Sequence, residues 1–244
     1  MNYSYIKRAA DITGSGVIGI AILPLVVVIA IWIKAESRGP VLFRQLRYGK
    51  DKVPFECLKF RTMTIDAPAN SATKDLKDAH TYITFSGRIM RRLGIDELPQ
   101  LINVLRGEMS LIGPRPVVLA EKKLIKERDK YGANDIRPGI GGWAQSNGRD
   151  EIDHKTKARL DGEYVQNFGL LMDISCLLRT VLAIFTSEGF KEGQIGDTSF
   201  RRHVRKNTHM RPRHTRLIRK IKGNFSKRLD TSAIDLSTDG IETK

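Results

Sequence analysis

Between Ile12 and Ile33 the chain carries no charged residue: ITGSGVIGIAILPLVVVIAIWI. At a helical rise of about 1.5 Å per residue such a run reaches about 30 Å, the thickness of a bilayer core. Any fold this chain adopts must place that stretch in lipid or bury it completely. A signal peptide is not expected, because the apolar run is long and no small-residue cleavage site follows it. Lys7 and Arg8 precede the run, and Lys34 and Arg38 follow it. Cationic flanks favour the cytoplasmic face, so a straight crossing frustrates one end. Pro24, near the middle, removes a backbone hydrogen bond and kinks a helix at Leu23–Pro24. A helix that enters, bends there and returns satisfies both flanks, with Trp32 at headgroup level. A straight spanning helix that tolerates its proline is the other reading.

The same stretch holds Gly14-Ser15-Gly16-Val17-Ile18-Gly19, which fits GxGxxG. A dinucleotide site needs a strand before that motif, and YIKRAAD reads instead as the start of the same helix. Small residues here suit close helix packing. With 244 residues, the chain has room for one domain with a core plus appendages. Net charge is +15, yet residues 201–228 hold twelve Lys or Arg and no acid; the rest has 30 basic against 27 acidic residues. The basicity therefore belongs to a C-terminal tail suited to anionic surfaces. Cys57 and Cys176 are far apart, which fits a reducing compartment, and the five histidines form no zinc motif.

Beyond Gly39-Pro40, VLFRQLR, the turn residues YGKDK and VPFECLKF read as a β-hairpin. Residues 66–80 are a polar loop, and ITFSGRIMRRLG is a short basic helix ended by Gly94. DELPQLINVLRGE predicts a helix with Leu98, Leu101, Ile102 and Leu105 on one face. GPRP is a rigid elbow, VVLAEKKLIKERDKYG an amphipathic helix, and RPGIGGWAQSNGR a glycine-rich loop. Residues 155–185 are helical; the apolar half from Leu170 to Phe185 suits either the core or the headgroup plane. The expected class is α+β, mostly α: a monotopic membrane protein with a re-entrant helix-break-helix hairpin, a small β-hairpin and amphipathic interfacial helices. The expected domains are a membrane helix over 1–36, a catalytic domain over 37–195 and a basic tail over 196–244.

The acid pair Asp96-Glu97 admits two readings. Asp96 is a suitable N-cap, with Glu97 and Pro99 in the first turn, so DELP could be only a helix start. Its company points elsewhere. Arg88, Arg91 and Arg92 precede it, Arg106 and Arg115 follow, and Lys59 and Arg61 lie at the hairpin exit. Arginine forks match phosphate oxygens, and a carboxylate pair can hold Mg²⁺ beside substrate phosphates or attack phosphorus. Such a cluster beside a membrane segment suits phosphoryl transfer to or from a lipid.

Taken in order, YIKRAADI, the apolar segment with its proline, GPVLFRQLRYGK, FECLKFRTM, LGIDELPQLINVLRGEMSLIGPRP and RPGIGGWAQSNGR resemble the bacterial sugar transferases, the monotopic phosphoglycosyl transferases. The resemblance covers roughly residues 5–192 and fits the compact form of the family. It implies transfer of a phosphosugar from a UDP-sugar to polyprenyl (undecaprenyl) phosphate with release of UMP. This is the first membrane step of glycoconjugate synthesis, at the cytoplasmic face of the bacterial inner membrane. It assigns Asp96 as nucleophile and Glu97 as metal-site and proton-handling partner with Mg²⁺. Lys59, Arg88 and Arg115 become phosphate-binding cations. Arg137, Gly139, Trp143, Gln145 and Arg149 fall on the nucleotide or sugar side, with a purely structural loop around Trp143 as the alternative. It also supports the re-entrant form, in contact with membrane lipids.

Departures from the family pattern are Leu23 where serine is common before the proline, Gly141 in place of threonine and Ser146 in place of valine. The tail lies outside the pattern, and no nucleic acid is expected as partner, since its basic residues lack interleaved aromatics. Two rivals remain: a non-enzymatic membrane anchor that holds an acidic partner through the tail, and an enzyme of this fold that transfers without a covalent step.

Overall fold

A computed structural model describes residues 3–67, 79–148 and 152–186. The chain divides into two units, Met1–Gly193 and Gln194–Lys244, and every described residue belongs to the first. Most of the polar segment 66–80, the whole basic tail and Arg149 lie outside the described residues.

Helices α1 (Tyr3–Ala21) and α2 (Leu23–Glu36) meet at 62° around Ile22. Pro24 stands in the first turn of α2 and has no N–H to donate back to α1. On either side the helical bonds persist, Ile22 N donating to Ile18 O at 2.9 Å and Val26 N to Ile22 O at 3.0 Å. The bend falls where the proline predicts it, and a straight helix with a tolerated proline is not found. Among the described residues no single helix is long and apolar enough to cross a membrane, but the bent pair together is.

The polar start of α1 is tied down. Tyr3 Oη and Lys7 Nζ each donate to Asp173 at 2.6 Å, and Arg8 donates to the carbonyls of Val104 and Leu105 at 2.7 and 3.2 Å. Asp11 accepts from the Leu111 N–H at 3.0 Å. The flanking cations Lys7 and Arg8 are therefore anchors to the protein body, whatever they do at a lipid surface.

Strands β1 (Leu42–Tyr48) and β2 (Pro54–Phe60) pair antiparallel, with Leu42 opposite Phe60 and Tyr48 opposite Pro54, around a 3-10 turn at Lys50–Lys52. The short α3 (Ala79–Tyr82) precedes α4 (Phe85–Leu93), which is capped by the Thr84 hydroxyl and ends at Gly94. A 3-10 turn, Ile95–Glu97, leads into α5 (Gln100–Arg106). Then come β3 (Ser110–Ile112), β4 (Val117–Val118), α6 (Lys122–Asp129), β5 (Gly139–Gly141), α7 (Trp143–Gly148), α8 (His154–Gln166) and α9 (Leu170–Thr186). The sheets run β2-β1-β4, with β4 antiparallel to β1, and β3-β5, which is parallel. The chain is thus α+β and mostly helical.

Several expected boundaries move. The helix foreseen from Asp96 begins at Gln100, because Pro99 is its cap residue and the acids form a separate turn. Val117 and Val118 pair with β1 instead of opening α6, as β-branched residues favour. The glycine-rich "loop" is a strand and a helix. Residues 155–185 are two helices, with an interruption at Asn167–Gly169.

Strand β2 is buried on both faces, through Phe55 and Cys57 on one side and Leu58 and Phe60 on the other. Its outer edge is completed by a side chain. Asn103, fully buried on α5, accepts from Leu58 N at 3.0 Å and donates to Glu56 O at 2.7 Å, replacing a missing strand. Ile29 and Ile33 of α2 enter a core cluster with Phe60 and Met90, against which Ile95 and Leu98 pack. Helix α9 buries Cys176 against Tyr164 and Ile112, while Leu170, Leu171, Ile174, Leu177, Leu178 and Leu182 stay exposed as one apolar stripe. Core and surface thus share this helix, with its apolar excess outside.

Candidate active site

Gly94, at φ +70°, takes the left-handed conformation that ends α4 and turns the chain at once into the next element. In the 3-10 turn that follows, Ile95 and Leu98 stand three residues apart and pack into the cluster fed by α2. The acids between them are held apart from that apolar face. Asp96 is not an N-cap: α5 has Pro99 at its cap, without a side-chain cap bond. The Asp96 residue is largely buried, and among the described residues no hydrogen bond reaches its carboxylate. The helix-start reading of DELP is thereby corrected, because proline's fixed φ begins α5 three residues later.

Glu97 is the hub. One of its oxygens, Oε1, accepts from Lys59 Nζ at 2.6 Å and from Arg115 Nη2 at 3.1 Å. Lys59 comes from the end of β2 and Arg115 from the elbow after β3, so three separate elements converge. Burial alone would raise the Glu97 carboxyl, but Arg115 and Lys59 outweigh it and hold the group well below the usual carboxylate range. A carboxylate held ionised by two cations suits anchoring them and does not suit carrying a proton near neutral pH. Asp96 behaves oppositely: burial pushes its carboxyl up against the pull of Lys59, with Glu97 adding to the rise and Arg91 and Arg115 opposing it. Arg91 Nε donates to Thr62 Oγ1 at 2.8 Å. Arg88, one turn earlier, is exposed.

Arg47 was not singled out by sequence, yet its charge acts on both Glu97 and Arg115. Burial, with Arg115 beside it, pushes the Arg47 guanidinium down from its usual value. The available signal was register: a hairpin turning at Lys50–Lys52 puts Arg47 and Lys59 on one face, opposite Phe55 and Phe43 respectively.

Four of the five residues expected on the nucleotide side, Arg137, Gly139, Trp143 and Gln145, are described, and each makes contacts within the fold. Gly139 N donates to Pro114 O at 2.9 Å, and a Cβ on Gly139 would collide with the Gly113 backbone, so it braces the segment carrying Arg115. Trp143 donates to Glu163 at 3.2 Å and stacks under Arg179, 4.6 Å from its ring centre. Gln145 Nε2 reaches Ile140 O at 3.4 Å. Arg137 is exposed and donates to Gly107 O at 2.8 Å, at the far end of α5 from the acids.

For a divalent ion, Asp96 and Glu97 offer an all-oxygen donor set, which fits Mg²⁺ completed by phosphate and water. No group of three or more His, Cys, Asp or Glu able to hold a metal occurs among the described residues, so an ion here would depend on substrate oxygens.

Comparison with known proteins identifies the family. The model of the family described as "Bacterial sugar transferase" matches residues 2–187. Over 195 residues the chain is 42% identical to an undecaprenyl-phosphate glucose phosphotransferase of Komagataeibacter xylinus, covering 75% of this chain but 37% of that protein. It is 36% identical to the uncharacterized sugar transferase EpsL of Bacillus subtilis, over 77% of this chain and 91% of EpsL. It is 38% identical to the UDP-N-acetylgalactosamine-undecaprenyl-phosphate N-acetylgalactosaminephosphotransferase of Aeromonas hydrophila, over 77% of this chain and 45% of that protein. The chain therefore spans less than half of two of these relatives and most of the third. With a match this long, and with the acid pair, its cations and the bent apolar helices in one unit, the chain belongs to the bacterial sugar transferase family.

Proposed function

We propose that this chain moves a phosphosugar from a UDP-sugar to polyprenyl (undecaprenyl) phosphate, through a covalent intermediate on Asp96. The observation that carries the reading is the carboxylate of the largely buried Asp96, left without a hydrogen-bond partner among the described residues and flanked by the Lys59–Glu97–Arg115 cluster. An Asp96 oxygen attacks the sugar-side phosphorus; the bond from that phosphorus to the oxygen of UMP breaks, and UMP leaves with the electron pair. An oxygen of the lipid phosphate then attacks the same phosphorus, and the carboxylate departs unchanged. Lys59 and Arg115, held in place by Glu97, stabilise charge on the phosphate oxygens in both steps. Asp96 and Glu97 would hold Mg²⁺, which neutralises diphosphate charge when bound.

The substrate lipid is reached because the site is built on the end of the bent helix pair. With both ends of the pair cytoplasmic and the exposed stripe of α9 in the headgroup plane, the acids lie at the water–lipid boundary of the bacterial inner membrane. The test is Asp96→Asn in lipid nanodiscs with UDP-sugars, undecaprenyl phosphate and Mg²⁺. UMP release should vanish, and the wild-type chain without lipid acceptor should carry one phosphosugar on the peptide containing Asp96. Turnover without any trappable adduct would favour direct transfer, and UMP release by the Asp96→Asn variant would remove the nucleophile.

A further inference from the structure

Arg115 sits between two prolines, and its neighbours therefore have no N–H groups. A segment with so few donors cannot be clamped by an ordinary backbone ladder. Its carbonyls are the remaining handles, and each of three in a row has a donor. Pro114 O accepts from Gly139 N at 2.9 Å, Arg115 O from Arg128 Nη1 at 3.0 Å, and Pro116 O from Arg47 Nη1 at 2.6 Å. Arg128 is itself fixed, its Nε donating to Asp161 Oδ2 at 2.8 Å, with side chains 4% and 1% exposed.

We propose that Arg128, held by Asp161, is a positioning residue for Arg115: it fixes the main chain from which the Arg115 guanidinium reaches Glu97 and a substrate phosphate. The phosphate part of this statement rests on the phosphoryl-transfer reading above. A purely structural role explains the pair poorly. Buried ion pairs often stabilise no better than apolar residues of similar size. The surroundings between α6 and α8, with Val117, Leu124, Ile125 and Ala158, would accept such residues. The bond that an apolar pair could not supply is the one that leaves the helices for the Arg115 carbonyl. Arginine suits this double duty, since its planar fork serves a carboxylate and a carbonyl at once.

The experiment uses the full chain in nanodiscs. Arg128→Met with Asp161→Leu removes both partners, so that no lone charge stays buried. Arg128→Lys is the second variant, which keeps a charge for Asp161 but lacks the fork. Each is combined with Arg115→Ala. With Arg115 present, each change should lower kcat/KM for UMP release by about tenfold; with Arg115 already removed, by less than about twofold. Amide exchange in β4, at Val117 and Val118, should rise while α6 and α8 stay protected. An equal loss in both backgrounds, or unchanged exchange at Val117 and Val118, overturns the proposal. If the wild-type chain releases no UMP from any UDP-sugar, the functional reading fails, and the exchange data still decide whether Arg128 fixes the segment.

Discussion

Replacing Asn103 with leucine should damage both the fold and the site. The side chain is fully buried and makes three bonds: from Leu58 N at 3.0 Å, to Glu56 O at 2.7 Å and to Glu108 Oε2 at 2.6 Å. Leucine has nearly the same volume but no polar atoms, so the cost is the orphaned partners and not a cavity. A buried backbone group left unpaired costs about 1–3 kcal/mol, in full at Leu58 N and in part at Glu56 O, whose bond is part-buried, so the two on β2 together cost about 2–4 kcal/mol. Glu108 adds less, being only part-buried. In a unit of this size 1 kcal/mol shifts the thermal midpoint by roughly 2–4 °C. The midpoint should therefore fall by about 10 °C, read by the fluorescence of Trp32 and Trp143 in nanodiscs. β2 carries Lys59 next to its last residue and α5 follows the acids, so loosening one against the other should also reduce UMP release at temperatures where the variant is folded. A midpoint within about 2 °C of wild type, with full activity, would refute the idea that this amide completes the sheet edge.

Glu97→Gln removes the charge that gathers Lys59 and Arg115, and should cut UMP release about a hundredfold; an unchanged rate would place the cations elsewhere during turnover. Asp173→Asn leaves Lys7 only the more distant Asp11, 4.0 Å away, and should cost about 2 kcal/mol, measured by thermal unfolding and by protease access to α1. Asp153 caps α8 by accepting from the N–H groups of Lys155 and Thr156, and the Thr156 hydroxyl leads the causes that hold its carboxyl below the usual aspartate range. Its cap is therefore complete above the ordinary aspartate value near pH 4 and is lost as pH falls through the lower folded value. Asp153→Asn, an equally good cap, should unfold at acid pH with less of that dependence, whereas Asp153→Ala should lose about 1 kcal/mol at neutral pH. Removal of Mg²⁺ with a chelator should stop UMP release reversibly, and a rate indifferent to chelation would assign the charge stabilisation to the cations alone.

Local signals carried far in this sequence. Pro24 marked the bend, YGKDK the hairpin turn and Gly94 the end of α4, because each rests on backbone chemistry confined to a few residues. The acid pair with Lys59 and Arg115 was legible only as company in the chain, and the shared Glu97 oxygen required the fold. What stayed hidden depends on distant partners. Nothing local distinguishes Arg128 from the other charges of KERDK, or marks Asn103 as a substitute strand. Arg137, Trp143 and Gln145 look functional in a glycine-rich run, but glycine serves close packing as readily as ligand approach, as Gly139 does against Gly113.

Because Ile29 and Ile33 of α2 fill the cluster beneath Ile95 and Leu98, part of the chain's longest apolar run is also the floor on which the acids stand. Trimming that part away would not liberate a soluble catalyst; it would remove the floor. The placement of Asp96 and Glu97 is thus tied to a helix whose other side, with Leu25, Val27, Val28 and Ile31, stays apolar and exposed.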